Sequence, residues 1–311
     1  MLAAQTKGMT ARSRLNEYLT SEVKRWTGSD LPPSLYHYTS GAGINAIASG
    51  KVLRAYNLGQ VNDFVEGRFA ASIMRANIDR SYALEADTAA LALFASMRRQ
   101  LVNVELSQVF VLSFTTNGDE PGMWRLYADR GRGFSFSIRL HTALTWAAEA
   151  HDGIILKCNY GEAALQDFCA ASLVKVREIF LSDSQVGLDP NPDEYAQMFL
   201  ENSAWLAPAF KPEIWKDERE WRFLFVRPRE AHKKQEDGRT FIELPLIPEG
   251  LAKQSPISAI CCGPLGDYED DILPLQKTLF DHGYGADFPI HIATSHVVRP
   301  GRKPPVFGKR A

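Results

Sequence analysis

Apolar residues near the start of the chain recur at the spacing of one helical face. Four of them lie at positions i, i+4, i+8 and i+11, with charged residues between them: Leu15, Leu19, Val23 and Trp26. Such a stripe predicts an amphipathic α-helix over residues 10–27, which ends at Gly28. We therefore assign the segment 1–30 to an N-terminal helix.

Short β-branched and aromatic runs, punctuated by Gly and Pro, alternate with helical stretches along the rest of the chain. The runs predict strands over residues 34–39, 51–55, 108–116, 131–138, 153–160, 217–227, 239–245, 257–262 and 288–294. The helical periodicity predicts helices over residues 40–50, 63–80, 87–106, 139–150 and 268–283, with a short helix around 123–127. We expect the strand at 131–138 to pair with the strand at 108–116.

This mixture of elements predicts an α+β fold and not a regular βαβ array. The expected core is a split, mixed or antiparallel β-sheet flanked by helices, in a single domain over residues 31–297. The mostly helical region 161–208 is expected to form an insertion or a cap on that domain. From Arg299 onward the chain has five cations, three prolines and no acid, which predicts a flexible basic tail over 298–311.

Composition and motif content limit the function classes. Lys and Arg number 35 against 37 for Asp and Glu, which argues against a dedicated polyanion binder but allows a local basic groove. No apolar run reaches about 18 residues, so no membrane helix is expected. The four cysteines lack zinc-site spacing and are expected to be buried thiols in a reducing cytosol, in a cytoplasmic protein without a metal. P-loop, zinc-protease and α/β-hydrolase motifs do not occur.

The predicted strand over 217–227 combines apolar and charged side chains. Alternation places Trp221, Phe223 and Phe225 on one face, and Glu218, Glu220 and Arg222 on the other. Charges on a core strand are costly unless they line a cleft or pair with each other. Taken alone, the pattern favours an edge strand with a solvated, salt-bridged face.

Two further strands and one short helix carry residues that could contact a ligand. They are His37 with Thr39, Ser113 with Thr115, and Trp124 with Tyr127, each pair on one face of its element. A lone strand histidine is more typical of a structural role than of catalysis, and the two hydroxyl residues are typical of half-buried strand positions. The two aromatic residues favour packing over ligand stacking.

Short motifs follow one another in a fixed order along residues 33–297. They are Leu35-Tyr-His-Tyr-Thr39, Asn62-Asp63-x-x-Glu66, Leu112-Ser-Phe, Met123-Trp-x-x-Tyr127, Gly133-Phe-Ser-Phe, Lys216-Asp-Glu-x-Glu-Trp-Arg222, the strand 257–263 and Gly283-Tyr284. In this order they resemble the bacterial domain of unknown function 2971 family. The joint order is more specific than any single motif, although the family name implies no activity.

The same order is similar to that of the ADP-ribosyltransferase superfamily. His37 matches the histidine of the first core strand, Ser113-x-Thr115 the Ser-x-Ser type of middle strand, and Glu220 the catalytic glutamate that begins a later strand. Glu218-x-Glu220 has the spacing of the paired glutamates in members that modify arginine. The site would be mixed, because the histidine belongs to one subclass and the Ser-x-Thr strand resembles another.

The resemblance implies an NAD-dependent mono-ADP-ribosyltransferase, in a toxin or an anti-phage effector, that modifies a protein or a nucleic acid. Loss of nicotinamide from NAD creates an oxocarbenium-like ribosyl cation, which Glu220 would stabilise. Glu218 would orient or deprotonate the acceptor, and His37 and Thr39 would hold the ribose and the carboxamide. The implied cofactor-binding residues are His37, Thr39, Ser113, Thr115, Trp124, Tyr127 and Arg222. Tyr38 is a further aromatic candidate for stacking on nicotinamide. Arg54 and Arg125 are further candidates for binding the pyrophosphate.

Two other function classes remain open. A metal-dependent nuclease or phosphoesterase would gather oxygen ligands around Mg²⁺ from Asn62, Asp63, Glu66, Glu218 and Glu220. Asp63 and Glu66 also have the spacing of a helix cap and its capping-box partner, which we favour for both. In a non-catalytic binding or sensor module, Trp124, Tyr127 and the charged strand face would instead form a ligand surface.

Overall fold

The computed structural model describes residues 10–27, 32–60, 64–101, 109–143, 153–204, 206–226, 233–246 and 256–294. It has an α+β architecture with a mixed, largely antiparallel sheet flanked by helices, which confirms the predicted fold class at that level. The chain forms two compact units whose segments alternate along the sequence. Unit 1 contains Met1–Leu31, Arg54–Ser113 and Ala147–Leu244, and unit 2 contains Pro32–Leu53, Phe114–Trp146 and Pro245–Ala311.

The elements are numbered in chain order. The helices are α1 (Ala11–Thr27), α2 (Gly41–Gly50), α3 (Phe64–Leu84), α4 (Thr88–Gln100), α5 (Pro121–Tyr127), α6 (Glu162–Gln185), α7 (Pro192–Ala204) and α8 (Leu273–Asp281). The strands are β1 (Ser34–Thr39), β2 (Val52–Asn57), β3 (Val109–Thr115), β4 (Phe134–Arg139), β5 (Ile154–Lys157), β6 (Asn159–Tyr160), β7 (Phe210–Lys211), β8 (Glu220–Val226), β9 (Lys233–Glu236), β10 (Arg239–Pro245), β11 (Ile257–Cys262) and β12 (Ile290–Ile292). The single strand predicted over residues 153–160 is divided in the structure into two short strands, β5 and β6.

The helices of unit 1 share one apolar core. Leu15 and Leu19 of α1 are buried in it, as the helical stripe predicts, together with Phe180 of α6. The side chain of Asp87 accepts a hydrogen bond from the backbone N–H of Ala90 at 3.0 Å, which fixes the start of α4. The helical region predicted over 161–208 thus contributes α6 and α7 to the core of unit 1.

Within unit 1, β8 is an interior strand. It pairs with β3 on one side and with β5 on the other, where Ile154 lies opposite Leu224. Residues Glu220 to Phe225 are all buried. The pattern alone favoured an edge strand with a solvated face. That prediction was wrong, because both edges of β8 are hydrogen-bonded.

In unit 2 the central strand pair is β1 with β4. The two strands are antiparallel along their whole length, from Ser34 opposite Arg139 to Thr39 opposite Phe134. β4 also pairs with β11, and β11 with the parallel strand β12. The expected pairing of β4 with β3 was wrong, because β1 takes that place: Tyr36 lies opposite Thr115 at the end of β3.

The register of these strands gives unit 2 an apolar face and a polar face. Residues directly opposite each other in an antiparallel pair share a face, and successive residues alternate. The apolar face of β1 and β4 holds Leu35, His37, Thr39, Phe134, Phe136 and Ile138. The polar face holds Tyr36, Tyr38, Thr115, Ser135 and Ser137. His37 and Thr39 therefore lie on one face of the unit, and Thr115 lies on the other.

The cysteines are free thiols. Cys158, Cys169 and Cys262 are buried and Cys261 is half-buried, close to what the sequence predicts. Burial raises the pKa of Cys169, Cys261 and Cys262 to about 12. These three thiols stay protonated near neutral pH and are poor nucleophiles.

Candidate functional site

The backbone reverses sharply just before β8. Glu218 is the last residue of the 3-10 turn Glu213–Glu218, and Arg219 follows it in a left-handed conformation with φ 45°. The prediction that Glu218 lies on the strand was wrong, because this turn and not strand alternation sets its position. Glu220 is the first residue of β8 and shares a strand face with Arg222.

Four buried charged side chains meet where β8 begins, and we call them the charge cluster: Lys211, Glu218, Glu220 and Arg222. Lys211 Nζ lies 2.5 Å from Glu218 Oε2 and 2.6 Å from Glu220 Oε2. Arg222 donates to Glu220 from Nε at 2.7 Å and from Nη2 at 3.2 Å. No member is more than 7% exposed. Two cations and two carboxylates balance, which is the condition under which buried charges are tolerated.

Backbone contacts hold this cluster in place. The backbone N–H of Glu220 donates to the hydroxyl of Tyr160 at 2.6 Å, and its carbonyl accepts from the N–H of Cys158 at 2.9 Å. Arg222 Nη1 donates to the carbonyl oxygen of Pro208 at 2.7 Å. Residues from β6, from the turn before β7 and from β8 therefore fix the positions of the charged groups.

Glu220 is ionised at neutral pH despite its burial. Burial alone would raise the pKa of its carboxyl, but attraction to Arg222 and Lys211, with their hydrogen bonds, lowers the pKa from 4.5 to about 2. A carboxylate has about four acceptor positions. Within the described chain three N–H groups occupy them, two on Oε2 and one on Oε1. One acceptor position, on Oε1, is left for a further donor.

Lys211 is the member of the cluster that sequence reasoning missed. It lies in β7, a strand of two residues, which is too short to produce a recognisable alternation. The sequence did contain a sign that a further cation is present, because Glu218, Glu220 and Arg222 together carry a net charge of −1. A buried set with that imbalance requires one more cation.

The ionised state of Glu220 predicts an acid-sensitive component of stability. Because the folded-state pKa is lowered, the carboxylate stabilises the fold above about pH 4.5, and this contribution is lost as the pH falls through about 2. The wild type is expected to lose up to about 3 kcal/mol of unfolding free energy from this group across that window. Glu220→Gln does not titrate there, so its unfolding free energy should vary less with pH. Chemical denaturation at stepped pH measures both.

The matched control for this pH series is Glu236→Gln. Glu236 also pairs with an arginine, Arg54, but its side chain is 54% exposed. It should keep the wild-type slope between pH 4.5 and 2. Identical slopes in the wild type and Glu220→Gln would contradict the assignment of Glu220 as a buried, ionised group.

His37 lies on the apolar face of unit 2. Its ring centroid is 5.5 Å from that of Phe114 and 5.2 Å from that of Phe136, and the residue is half-buried. Thr39 shares the face and is also half-buried. Thr115, in contrast, belongs to the polar face, where its Oγ1 accepts from the backbone N–H of Asn117 at 3.2 Å. The structure therefore brings His37 and Thr39 together and separates them from Thr115.

The aromatic candidates of unit 2 differ in exposure. Trp124 is fully buried, and its ring lies 4.7 Å from that of Tyr38 in an edge-on arrangement. Its Nε1 donates to Asp119 Oδ1 at 2.7 Å. Tyr127 is 44% exposed. The predicted aromatic platform for nicotinamide narrows to Tyr127, because the other two rings cover each other.

The remaining predicted residues have diverse surroundings. Ser113 is exposed on β3, and Arg125 is exposed on α5. Arg54 forms ion pairs with Glu236 and Glu243, and its guanidinium lies 4.3 Å above the ring of Phe241. The motif residues 62 and 63 lie outside the described residues. Among those described, no three His, Cys, Asp or Glu side chains are placed to hold a metal ion.

Comparison with known families gives one match. Residues 123–223 match the family model described as "Protein of unknown function (DUF2971)". The match covers about a third of the chain and includes Trp124, Tyr127, Glu220 and Arg222. It supports the first resemblance seen in the sequence. Searches of curated proteins and of solved structures found no match.

The described helices were also compared with the requirements of a bilayer. A crossing helix needs about 20 predominantly apolar residues. None of the helices in the described ranges combines that length with sufficient hydropathy.

Proposed function

We propose that this protein is an NAD-dependent mono-ADP-ribosyltransferase. The observation that carries the proposal is the Glu-x-Glu pair where β8 begins, in which Glu220 is ionised and has one acceptor position left. The motif order in the sequence supports it. An ADP-ribosyltransferase-like split sheet, the finer part of the fold prediction, belongs to the same proposal.

The proposed reaction breaks the bond between the nicotinamide nitrogen and C1′ of the adjoining ribose. Nicotinamide leaves with the bonding electron pair, and C1′ becomes an oxocarbenium-like cation. The carboxylate of Glu220 stabilises this positive charge and accepts a hydrogen bond from a ribose hydroxyl. The acceptor then bonds to C1′ and gives its proton to Glu218, which starts the step as a carboxylate.

The other residues have supporting roles in the proposal. Arg222 donates to Glu220 and to the Pro208 carbonyl, so it orients the carboxylate. The resemblance assigns the exposed Arg125 to the pyrophosphate of NAD, His37 and Thr39 to the ribose and the carboxamide, and Tyr127 to nicotinamide. These four roles stay predictions. The acceptor is a protein or a nucleic acid, as in a toxin or an anti-phage effector.

Nicotinamide release from NAD tests the proposal. The purified wild type should release nicotinamide, and Glu220→Gln should release it about 100-fold more slowly, since one preorganised electrostatic group is lost. The exposed Glu236→Gln variant should retain the wild-type rate. Rates are compared at a temperature where unfolding curves show that all three proteins are folded, because a change in a buried ion cluster also lowers stability.

Two results would contradict the proposal. One is no release from the folded wild type with any protein or nucleic-acid acceptor. The other is equal release from the wild type and Glu220→Gln. In either case the balanced charge cluster has a purely structural role, and the first result favours the non-catalytic binding module among the alternatives.

A further inference from the structure

A groove between α3 and α4 of unit 1 has three arginines among its eight lining residues. The arginine groove has a volume of about 350 Å³, and its lining includes Arg75, Asp79, Tyr82, Arg98 and Arg99. Its floor includes Ile78, which is fully buried. This volume is that of a small ligand site, and the combination of an apolar floor with a few polar groups is typical of one.

Helical spacing explains how the first wall forms. Arg75, Asp79 and Tyr82 lie at i, i+4 and i+7 of α3, so their side chains line one face of that helix. Arg98 reaches this face from α4. Its Nε lies 2.6 Å from Asp79 Oδ1, and its guanidinium carbon lies 4.7 Å from the ring centroid of Tyr82. Tyr82 and Arg98 therefore form a cation–π pair in the wall of the groove.

The acidic partners leave the groove positively charged. Arg98 pairs with Asp79, and Arg99 pairs with Asp193 at 2.8 Å, but both pairs are about half exposed or more. Ion pairs this exposed are worth little, so a phosphate can compete for the guanidinium groups. Within the described residues, Arg75 has no acidic partner at ion-pair distance. The five residues that define the groove carry a net positive charge.

We propose that the arginine groove binds a segment of single-stranded nucleic acid. Guanidinium groups bind phosphate oxygens with two parallel hydrogen bonds, a role open to Arg75 and Arg99. The guanidinium of Arg98, which lies over the ring of Tyr82 and is about half exposed, is a planar group on which an unpaired base can stack. A duplex keeps its bases stacked inside and cannot use that platform. An acidic peptide could pair with the guanidinium groups but has no base to stack on Arg98.

The near-neutral composition of the chain is compatible with such a local site. A formal charge of −2 argues against a broad basic surface, and within this groove the affinity rests on a few contacts. Binding should be weak and only moderately weakened by salt, because few phosphate contacts are made. This inference does not depend on the proposed transferase activity.

Fluorescence anisotropy with a short labelled single-stranded oligonucleotide tests the groove. Arg75→Ala and Arg98→Ala should each raise the Kd about tenfold, which corresponds to the loss of one phosphate or stacking contact. Arg80→Ala is the matched control, because Arg80 is exposed on the same helix but does not line the groove. It should bind as the wild type does. These side chains are on the surface, so unfolding curves of all variants should coincide.

Four further probes distinguish base stacking from simple charge attraction: an abasic strand, inorganic pyrophosphate, a duplex and an acidic peptide. An abasic strand of the same length and inorganic pyrophosphate should bind more weakly than the intact strand, because neither has a base to stack. A duplex should also bind more weakly. Equal affinity of the wild type, Arg75→Ala and Arg98→Ala would overturn the proposal, as would equal binding of the abasic strand or tighter binding of an acidic peptide.

Discussion

Replacement of Lys211 by methionine is expected to lower the free energy of unfolding by about 3–5 kcal/mol. Lys211 is 2% exposed, and its Nζ contacts both Glu218 and Glu220. Its removal leaves two carboxylates and only one cation, Arg222, among the residues of the buried charge cluster. The methionine chain fills most of the lysine volume, so the loss reports the missing charge and not a cavity. Urea denaturation followed by circular dichroism measures it.

A second substitution separates charge balance from packing. Lys211→Met combined with Glu218→Gln restores equal numbers of buried cations and anions, so the double variant should be more stable than Lys211→Met alone. Lys216→Met is the surface control: Lys216 pairs with Glu213, but both side chains are about 60% exposed. It should change the unfolding free energy by less than about 1 kcal/mol. A Lys211→Met protein as stable as this control would show that the cluster is hydrated.

The interior strands could be predicted from the sequence, but their ends could not. The largely apolar run from Trp221 to Phe225, interrupted by Arg222, identifies β8, because no helical period competes with it. Glu218 would share a face with Glu220 if the strand extended two residues further back, yet it belongs to the preceding 3-10 turn. The left-handed conformation of Arg219 separates the two elements, and a positive φ at an arginine has no signature in composition.

Contacts between segments that are distant in the chain were harder to predict from the sequence. Alternation put Glu220 and Arg222 on one face, but Lys211 reaches them because β7 pairs with β6, Asn159 opposite Phe210. In unit 2, alternation paired His37 with Thr39 correctly. Only the register of Tyr36 with Thr115 shows that the middle-strand hydroxyl lies on the other face. A single sequence fixes which residues share a strand face, but not which strands become neighbours.

Replacement of Trp124 by alanine is expected to destabilise the protein by about 3–5 kcal/mol. Trp124 is fully buried and packs with Tyr38 and Ala128, so its replacement by alanine leaves a cavity the size of an indole ring. The change also removes the Nε1–H donor of Asp119, whose other oxygen accepts from the backbone N–H and the hydroxyl of Thr294. Both losses weaken the polar face of unit 2. Guanidinium denaturation followed by circular dichroism measures the change.

Phenylalanine at position 124 separates the two losses. It retains most of the ring volume but no N–H, so Trp124→Phe should cost about 1–3 kcal/mol, less than alanine. Leu126→Ala on the same helix is the control, since Leu126 is 59% exposed and should change stability by no more than about 0.5 kcal/mol. If Trp124→Ala were as stable as Leu126→Ala, the indole would not pack as described. Tyr127 would then no longer be the sole remaining aromatic candidate for stacking on nicotinamide, because the face of Trp124 would be open to a ligand as well.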